Sequence, residues 1–260
     1  MENYIKIINK FIDKMDYRNN EHYLGTFFYG SCLTGFNNDN SDIDLHIVFD
    51  NSDGNHIYRG VCYIDLIKIE YFEKCIGDLY LSLENDIANR NGSWYSILGT
   101  SKIIEDNLGR LEELQKYTLG IYKSKLSKMD EQDIMENIAI INNRMEKLKI
   151  ACTLDSPCFY SLYYITIEKI RRFYHAINGF AKINTSKVYK VYMDDEYRKT
   201  YFPFEFVSDE FKQMYFNLLD FTGKSKQQLL TDIESFYKYV KGKRELSKTE
   251  FRIKIKSRNL

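Results

Sequence analysis

Residues 24–49 constrain the fold more than any other stretch of this 260-residue chain. They read LGTFFYGSCLTGFNNDNSDIDLHIVF: an apolar run, Gly30-Ser31, an Asn-rich loop, and a second apolar run that begins with Asp42 and Asp44. The pattern predicts two β-strands joined by a glycine-serine turn and a polar loop. Because side chains alternate along a strand, the two aspartates share one face and the aliphatic residues between them can pack into a core on the other.

The residue types in this stretch suit a metal and phosphate site. Two carboxylates about 7 Å apart along a strand, at the edge of a loop, suit a hard divalent cation such as Mg²⁺. Gly30 lets the backbone approach a ligand closely, and a helix that begins near Ser31 would direct free N–H groups and a hydroxyl at an anion. Phosphates on one side and paired metal carboxylates on the other form the arrangement that nucleotidyl transfer requires.

A Gly-Ser step after a strand and an Asp-x-Asp motif are each common without such a site, but their combination at this spacing is rare by chance. It resembles the signature of the polymerase-β-like nucleotidyltransferase superfamily. The resemblance implies an N-terminal nucleotidyltransferase fold, a small mixed β-sheet with helices, and two Mg²⁺ ions with ATP as co-substrate. Gly30 and Ser31 would then hold the phosphates, and Asp42 and Asp44 the metal.

The resemblance also implies a third carboxylate on a neighbouring strand, and the next strand candidate is residues 57–69 (IYRGVCYIDLIKI). Asp65 lies there among apolar residues, where a carboxylate is costly to bury unless it binds a metal or is otherwise paired. An unbroken strand places Asp65 and Glu70 on opposite faces, and we predict that Asp65 is the one that joins Asp42 and Asp44. The resemblance implies a metal ligand or the base that deprotonates the acceptor, and the choice between these roles stays open.

The periodicity of the chain changes near residue 126. Before it, the patterns predict helices over 2–15, 71–89 and 108–125, a turn over 50–55 and a strand over 100–106. After it, only helical spacing continues, over 134–152, 158–180, 186–197, 208–219 and 225–240. We therefore expect an α+β protein with a catalytic domain over residues 1–126, followed by a helical bundle over 127–260 that binds the acceptor.

Charge and composition narrow the partners. The 37 basic and 37 acidic residues give a formal net charge of zero, whereas proteins that bind long nucleic acids usually carry a basic excess. We expect a nucleoside triphosphate and a small hydroxylated acceptor instead. Lys187 follows a loop and would reach the triphosphate as a compensating charge, although a solvated lysine is the common alternative.

The five cysteines include no close Cys-x-x-Cys pair, which argues against a zinc site or a disulfide framework and for a reducing compartment. No apolar run is long enough to span a bilayer, and the N-terminal residues lack the apolar core of a signal peptide. We expect a cytoplasmic protein without a membrane partner.

The sequence thus predicts a Mg²⁺-dependent nucleotidyltransferase that moves a nucleoside monophosphate, AMP from ATP, to a hydroxyl of a small molecule. Size and layout resemble bacterial enzymes that modify aminoglycoside or lincosamide antibiotics, specifically over residues 24–70 and only architecturally beyond 120. A toxin-type transferase acting on tRNA or protein, a non-catalytic nucleotide-binding protein and a structural protein are the alternatives. Three intact acids, Asp42, Asp44 and Asp65, disfavour the pure nucleotide binder, which could lose them.

Overall fold

A computed structural model describes residues 1–38, 41–51, 57–123, 126–203 and 206–244 of the protein. The chain divides into two compact units, Met1–Leu126 with Ile183–Glu205, and Ser127–Lys182 with Phe206–Leu260. The predicted fold class is confirmed: a small mixed sheet with helices comes first, and a mostly helical part follows. Most of the turn predicted over 50–55 lies outside the described residues.

The first unit is built on a five-stranded sheet in the order β3-β4-β2-β1-β5. Its strands are β1 (Tyr23–Tyr29), β2 (Ile43–Phe49), β3 (Ile57–Ile64), β4 (Ile67–Cys75) and β5 (Lys102–Asp106). β1 is antiparallel to both β2 and β5, whereas β4 is parallel to β2 and antiparallel to β3. The sheet is therefore mixed, as predicted.

The described residues form ten α-helices. They are α1 (Glu2–Lys14), α2 (Ser31–Thr34), α3 (Ile76–Ala88), α4 (Arg110–Lys123), α5 (Glu131–Thr153), α6 (Phe159–Asn178), α7 (Val188–Met193), α8 (Asp195–Tyr201), α9 (Asp209–Leu219) and α10 (Lys226–Lys241) among the described residues. No helix in the part of the chain that the structure describes has both the length and the apolarity needed to cross a membrane.

One face of the sheet is buried under α1. Apolar residues at helical spacing in α1, including Phe11 and Ile12, join Ile43 and Leu45 of β2 in a single core, and all four are fully buried. Burial of a large aliphatic or aromatic side chain stabilises the fold by about 1.5–3 kcal/mol. This core fixes the register of β2, so the alternate residues of β2 must point to the opposite face of the sheet.

The single strand predicted over residues 57–69 is wrong. Asp65 and Leu66 form a two-residue turn between β3 and β4, both with positive φ (49° and 65°), as a type I′ hairpin requires. β4 then continues to Cys75, so residues 71–75 are strand rather than the helix we predicted. The chain reverses at the turn, and this reversal changes which acidic residue reaches the centre of the sheet.

Residues 186–197 do not form the single helix predicted. A 3₁₀ turn (Thr185–Lys187), α7 and α8 replace it, and Asp194 begins α8 by accepting a hydrogen bond from the backbone N–H of Tyr197. A side chain that caps a helix start competes with helix continuation, because its oxygen binds backbone N–H groups at the new start. This segment belongs to the first unit.

The second unit contains α5, α6, α9 and α10. These helices lie close to the predicted bounds, and their apolar faces supply fully buried residues such as Ile141, Phe159, Phe211 and Phe236. Helix starts follow from sequence here: Ser225 and Gln228 form a capping box at the start of α10.

Candidate active site

Three carboxylates converge on the face of the sheet opposite α1. Asp44 lies on β2 directly beside Glu70 of the parallel strand β4, and Asp42 precedes Asp44 on the same face. One carboxylate oxygen from each residue lies within 4.8 Å of the other two. The predicted pairing of Asp42 and Asp44 on one face is therefore confirmed, and Glu70 is the third member of the cluster.

Asp65 does not join this cluster, contrary to our prediction. Its side chain lies in the hairpin turn, is 60% exposed, and forms an ion pair with Lys10 at 2.5 Å. The prediction assumed that the strand continued past Asp65, whereas the turn returns the chain alongside β2 and places Glu70 opposite Asp44. An available signal was the tolerance of aspartate for positive φ, which makes it a turn residue as well as a ligand.

Gly30 connects the first strand to the carboxylates. Its backbone has φ 86° and ψ −167°, a combination essentially restricted to glycine. A Cβ atom at this position would lie 2.3 Å from Oδ2 of Asp44, so only glycine leaves room for the carboxylate. The space left by the missing Cβ atom is thus filled by a side chain of the cluster itself, and the close approach of a ligand to Gly30 stays a prediction.

The cluster has an unusual electrostatic balance. Burial is the largest of the effects that raise the pKa of Asp44 to about 7; the negative charges of Asp42 and Glu70 contribute to this rise, while Lys187 and Lys68 oppose it. Lys68 Nζ lies 2.9 Å from Oδ2 of Asp42 and 3.6 Å from Oε1 of Glu70. Repulsion from its two acidic neighbours disfavours the charged form of Asp44, and positive charge placed among the three carboxylates relieves this repulsion.

A second basic side chain reaches the cluster from the outer strand. Arg59 Nη2 on β3 lies 3.0 Å from Oε1 of Glu70, and its guanidinium carbon lies 5.3 Å from the centre of the Phe72 ring. Glu70 therefore has a cationic neighbour on each side, Lys68 on its own strand and Arg59 on the next.

A cleft of about 390 Å³ opens beside Asp44 within the first unit. Its lining residues are Tyr29, Gly30, Ser31, Phe36, Asp44, Ser96, Ile97, Lys187, Lys190, Tyr197 and Tyr201. Lys187 and Lys190 are both exposed and supply two positive charges to the cleft. Lys187 was predicted from the sequence as a phosphate contact and Lys190 was not, although a three-residue spacing places two side chains on adjacent turns of a helical segment.

The turn that follows Gly30 is held by α8. The hydroxyl of Tyr201 hydrogen-bonds to that of Thr34, which also bonds to the carbonyl oxygen of Gly30 at 3.2 Å. The Phe36 ring packs edge-on against Tyr197, with 5.1 Å between ring centres. Side chains of residues 194–201 therefore fix the position of the glycine-serine turn. No local pattern in the sequence indicated these contacts.

An aromatic layer lies behind Asp44 on the same face. His46 is buried and stacks on Phe27 and Phe72, with ring centres 4.8 and 5.2 Å apart. Burial and, to a smaller extent, the charge of Lys74 lower the pKa of His46 to about 3. His46 is therefore a neutral ring that closes the apolar end of this face.

The residues present fit a hard divalent cation. All three side chains offer carboxylate oxygens, the donors that Mg²⁺ prefers, and they lie close enough together to share one ion. Burial, together with the negative charges of Asp42 and Glu70, raises the pKa of Asp44, and a cation bound among the three carboxylates would relieve this repulsion.

The family comparison agrees with this geometry. A family model for nucleotidyltransferase domains matches a segment that begins within α1 and ends within α3. Residues 8–83 match the nucleotidyltransferase domain family. This nucleotidyltransferase segment contains Gly30, Ser31 and the whole carboxylate cluster, so the match supports the superfamily and nucleotidyl transfer as the type of reaction.

A solved structure extends the likeness to the fold of most of the chain. The protein is similar to a nucleotidyltransferase-like protein from Exiguobacterium sibiricum 255-15, with a TM-score of 0.50 and 13% sequence identity. The alignment covers 91% of this chain and 75% of that one. No curated protein matches the chain at a significant level.

Proposed function

We propose that this protein is a Mg²⁺-dependent nucleotidyltransferase that transfers AMP from ATP to a hydroxyl group of a small acceptor. The acceptor class we favour is an aminoglycoside- or lincosamide-like antibiotic. One observation carries the proposal: Asp42, Asp44 and Glu70 converge beside Gly30 at the edge of a cleft that contains two lysines. The nucleotidyltransferase match over residues 8–83 supports the reaction type.

The triphosphate is assigned to the cleft. Gly30 leaves the backbone open to the phosphates, Ser31 lines the cleft beside it, and Lys187 and Lys190 bring positive charge to the same cleft. Charge-assisted hydrogen bonds to phosphate are each worth about 1.5–3 kcal/mol. These groups orient the nucleotide so that its α-phosphate lies next to Asp44.

The carboxylates are assigned to the metal and to the acceptor. Asp42, Asp44 and Glu70 would hold Mg²⁺, which supplies Lewis-acid stabilisation of the charge that develops on the phosphates. Glu70 replaces Asp65 as the candidate base, because Glu70 is the third carboxylate of the cluster. The acceptor oxygen forms the new bond to the α-phosphorus, its proton passes to Glu70, and the bond to pyrophosphate breaks.

A transfer assay tests the proposal. The wild-type protein is incubated with Mg²⁺, α-labelled ATP and a panel of hydroxylated small molecules, and both labelled product and released pyrophosphate are measured. The Asp44→Asn variant keeps the size of the side chain but loses its charge, and we expect a folded protein with roughly 10²- to 10⁴-fold lower transfer. Full transfer by this variant, or no nucleotide binding by the wild type, would contradict the assignment.

A further inference from the structure

The face that carries the carboxylates continues outward onto β3. In the antiparallel pairing of β3 and β4, Val61 lies opposite Glu70 and Tyr63 lies opposite Lys68. Directly paired residues of adjacent strands project to the same face of a sheet. Val61 and Tyr63 therefore extend the site face, and both are well exposed, at 51% and 62%. We name these two residues the hairpin platform.

The order of strands separates the platform from the cleft. The cleft residues Gly30 and Ser31 follow β1, on one side of Asp44, whereas Glu70 and the platform lie on β4 and β3, on the other side. In phosphoryl transfer the attacking and leaving oxygens lie in line on opposite sides of the phosphorus. If the departing pyrophosphate occupies the cleft, as the proposed function states, the acceptor must arrive from the side of β4 and β3.

The charges around the platform constrain the acceptor. Asp42, Asp44 and Glu70 carry three formal negative charges, and Arg59 and Lys68, which pair with two of them, carry two positive charges. Lys68 lies directly opposite Tyr63, and Arg59 lies two residues before Val61 on the same face, so each platform residue has a basic neighbour. A compound with many amino groups would therefore meet like charge beside the platform, whereas a neutral or singly charged ring can pack on the exposed tyrosine.

We propose that the hairpin platform of Val61 and Tyr63 docks the acceptor, and that the acceptor presents a ring face and carries at most one positive charge. This inference rests on the proposed function. Within the acceptor classes considered above, it favours a lincosamide-like compound over a polycationic aminoglycoside.

The same strand offers a matched control. Tyr58 is 61% exposed, almost the same as Tyr63, but it lies an odd number of residues away from Tyr63 on β3, so its side chain projects to the opposite face. Tyr63→Ala and Tyr58→Ala therefore remove the same group from two faces of one strand.

The test compares these two variants with the wild type in the full chain. Affinity for Mg²⁺-ATP is measured by calorimetry, and transfer from α-labelled ATP is measured with kanamycin, lincomycin and uridine as polycationic, singly charged and neutral probes. We expect transfer to lincomycin or uridine in preference to kanamycin. Tyr63→Ala should raise the KM for that acceptor about tenfold and leave the affinity for Mg²⁺-ATP unchanged, and Tyr58→Ala should change neither.

The outcomes separate this inference from the proposed function. If the wild type transfers AMP but Tyr63→Ala and Tyr58→Ala have equal acceptor KM values, the platform is overturned and the proposed function stays intact. A preference for kanamycin has the same consequence. Failure of the wild type to bind Mg²⁺-ATP overturns the proposed function and the platform with it. Binding of Mg²⁺-ATP without transfer to any of the three probes overturns the acceptor class inferred here.

Discussion

Replacement of Gly30 by alanine is expected to damage the site in two separable ways. The backbone at Gly30 (φ 86°, ψ −167°) lies in a region that costs about 1–3 kcal/mol for residues with a Cβ atom. The added Cβ would also lie 2.3 Å from Oδ2 of Asp44, about 1 Å inside ordinary contact, so the carboxylate must move.

The two effects predict different magnitudes in two assays. The backbone strain should lower the melting temperature measured by circular dichroism by roughly 2–10 °C. Displacement of Asp44 by about 1 Å should lower the rate of transfer from labelled ATP on the order of 10²-fold, because positioning errors of this size cost that much in enzymes.

Gly35 provides the matched control. It also has a positive φ, 81°, but a Cβ there would meet nothing within 4 Å. Gly35→Ala should therefore lose a comparable amount of stability, about 1 kcal/mol, and keep its transfer rate within a few-fold of wild type. Equal loss of transfer in both variants, or wild-type transfer in Gly30→Ala, would refute the reasoning that Gly30 is required by the position of Asp44.

Three further predictions concern other residues. Tyr201→Phe removes the hydroxyl bonded to Thr34 and should weaken Mg²⁺-ATP binding about fivefold in calorimetry; additive losses in a double-mutant cycle with Thr34→Val would contradict direct coupling. Lys187→Met should weaken the same binding roughly 10- to 100-fold, and unchanged affinity would remove this lysine from the phosphate site. The third prediction is acid lability: burial lowers the pKa of His175 to about 3, so the unfolded chain takes up the proton first as pH falls below about 6.5. Neutral His175 therefore costs no stability above that pH, and the free energy of unfolding measured in urea should be lower by about 2 kcal/mol at pH 5. A His175 ring that titrates near pH 6.5 by NMR in the folded protein would contradict this prediction.

Local sequence patterns predicted those parts of the site that are determined by residues close together in the sequence. Alternation along β2 placed Asp42 and Asp44 on the face opposite the α1 core, and the Gly30-Ser31 step ended β1 where predicted. These features follow from the two-residue period of a strand and from the backbone freedom of glycine, both of which are visible in a short window of sequence.

The third carboxylate could not be assigned from such a window. The turn at Asp65 and Leu66 has neither the glycine nor the asparagine that usually marks a type I′ hairpin. Leu66 is 95% exposed and adopts a positive φ that leucine rarely takes. Pairing across the sheet outweighs this local cost, because β3, β4 and β2 together satisfy their backbone hydrogen bonds.

Apart from Lys187, the wall of the cleft was also beyond local patterns. Lys187, Lys190 and Tyr201 come from residues 183–205, which lie in the first unit although more than 50 residues of the second unit precede them in the chain. Contacts of such long sequence separation leave no periodicity in either segment. The contribution of the helical C-terminal part to acceptor binding stays a prediction.

The most direct test of the central claim compares Glu70→Gln with Asp65→Asn. Asparagine tolerates the positive φ of residue 65, and the exposed ion pair with Lys10 contributes little, so Asp65→Asn should fold normally. We predict that Asp65→Asn keeps wild-type Mg²⁺ binding in calorimetry and wild-type transfer, whereas Glu70→Gln weakens Mg²⁺ binding and lowers transfer roughly 10²- to 10⁴-fold. Loss of metal binding in Asp65→Asn together with full activity in Glu70→Gln would contradict the account.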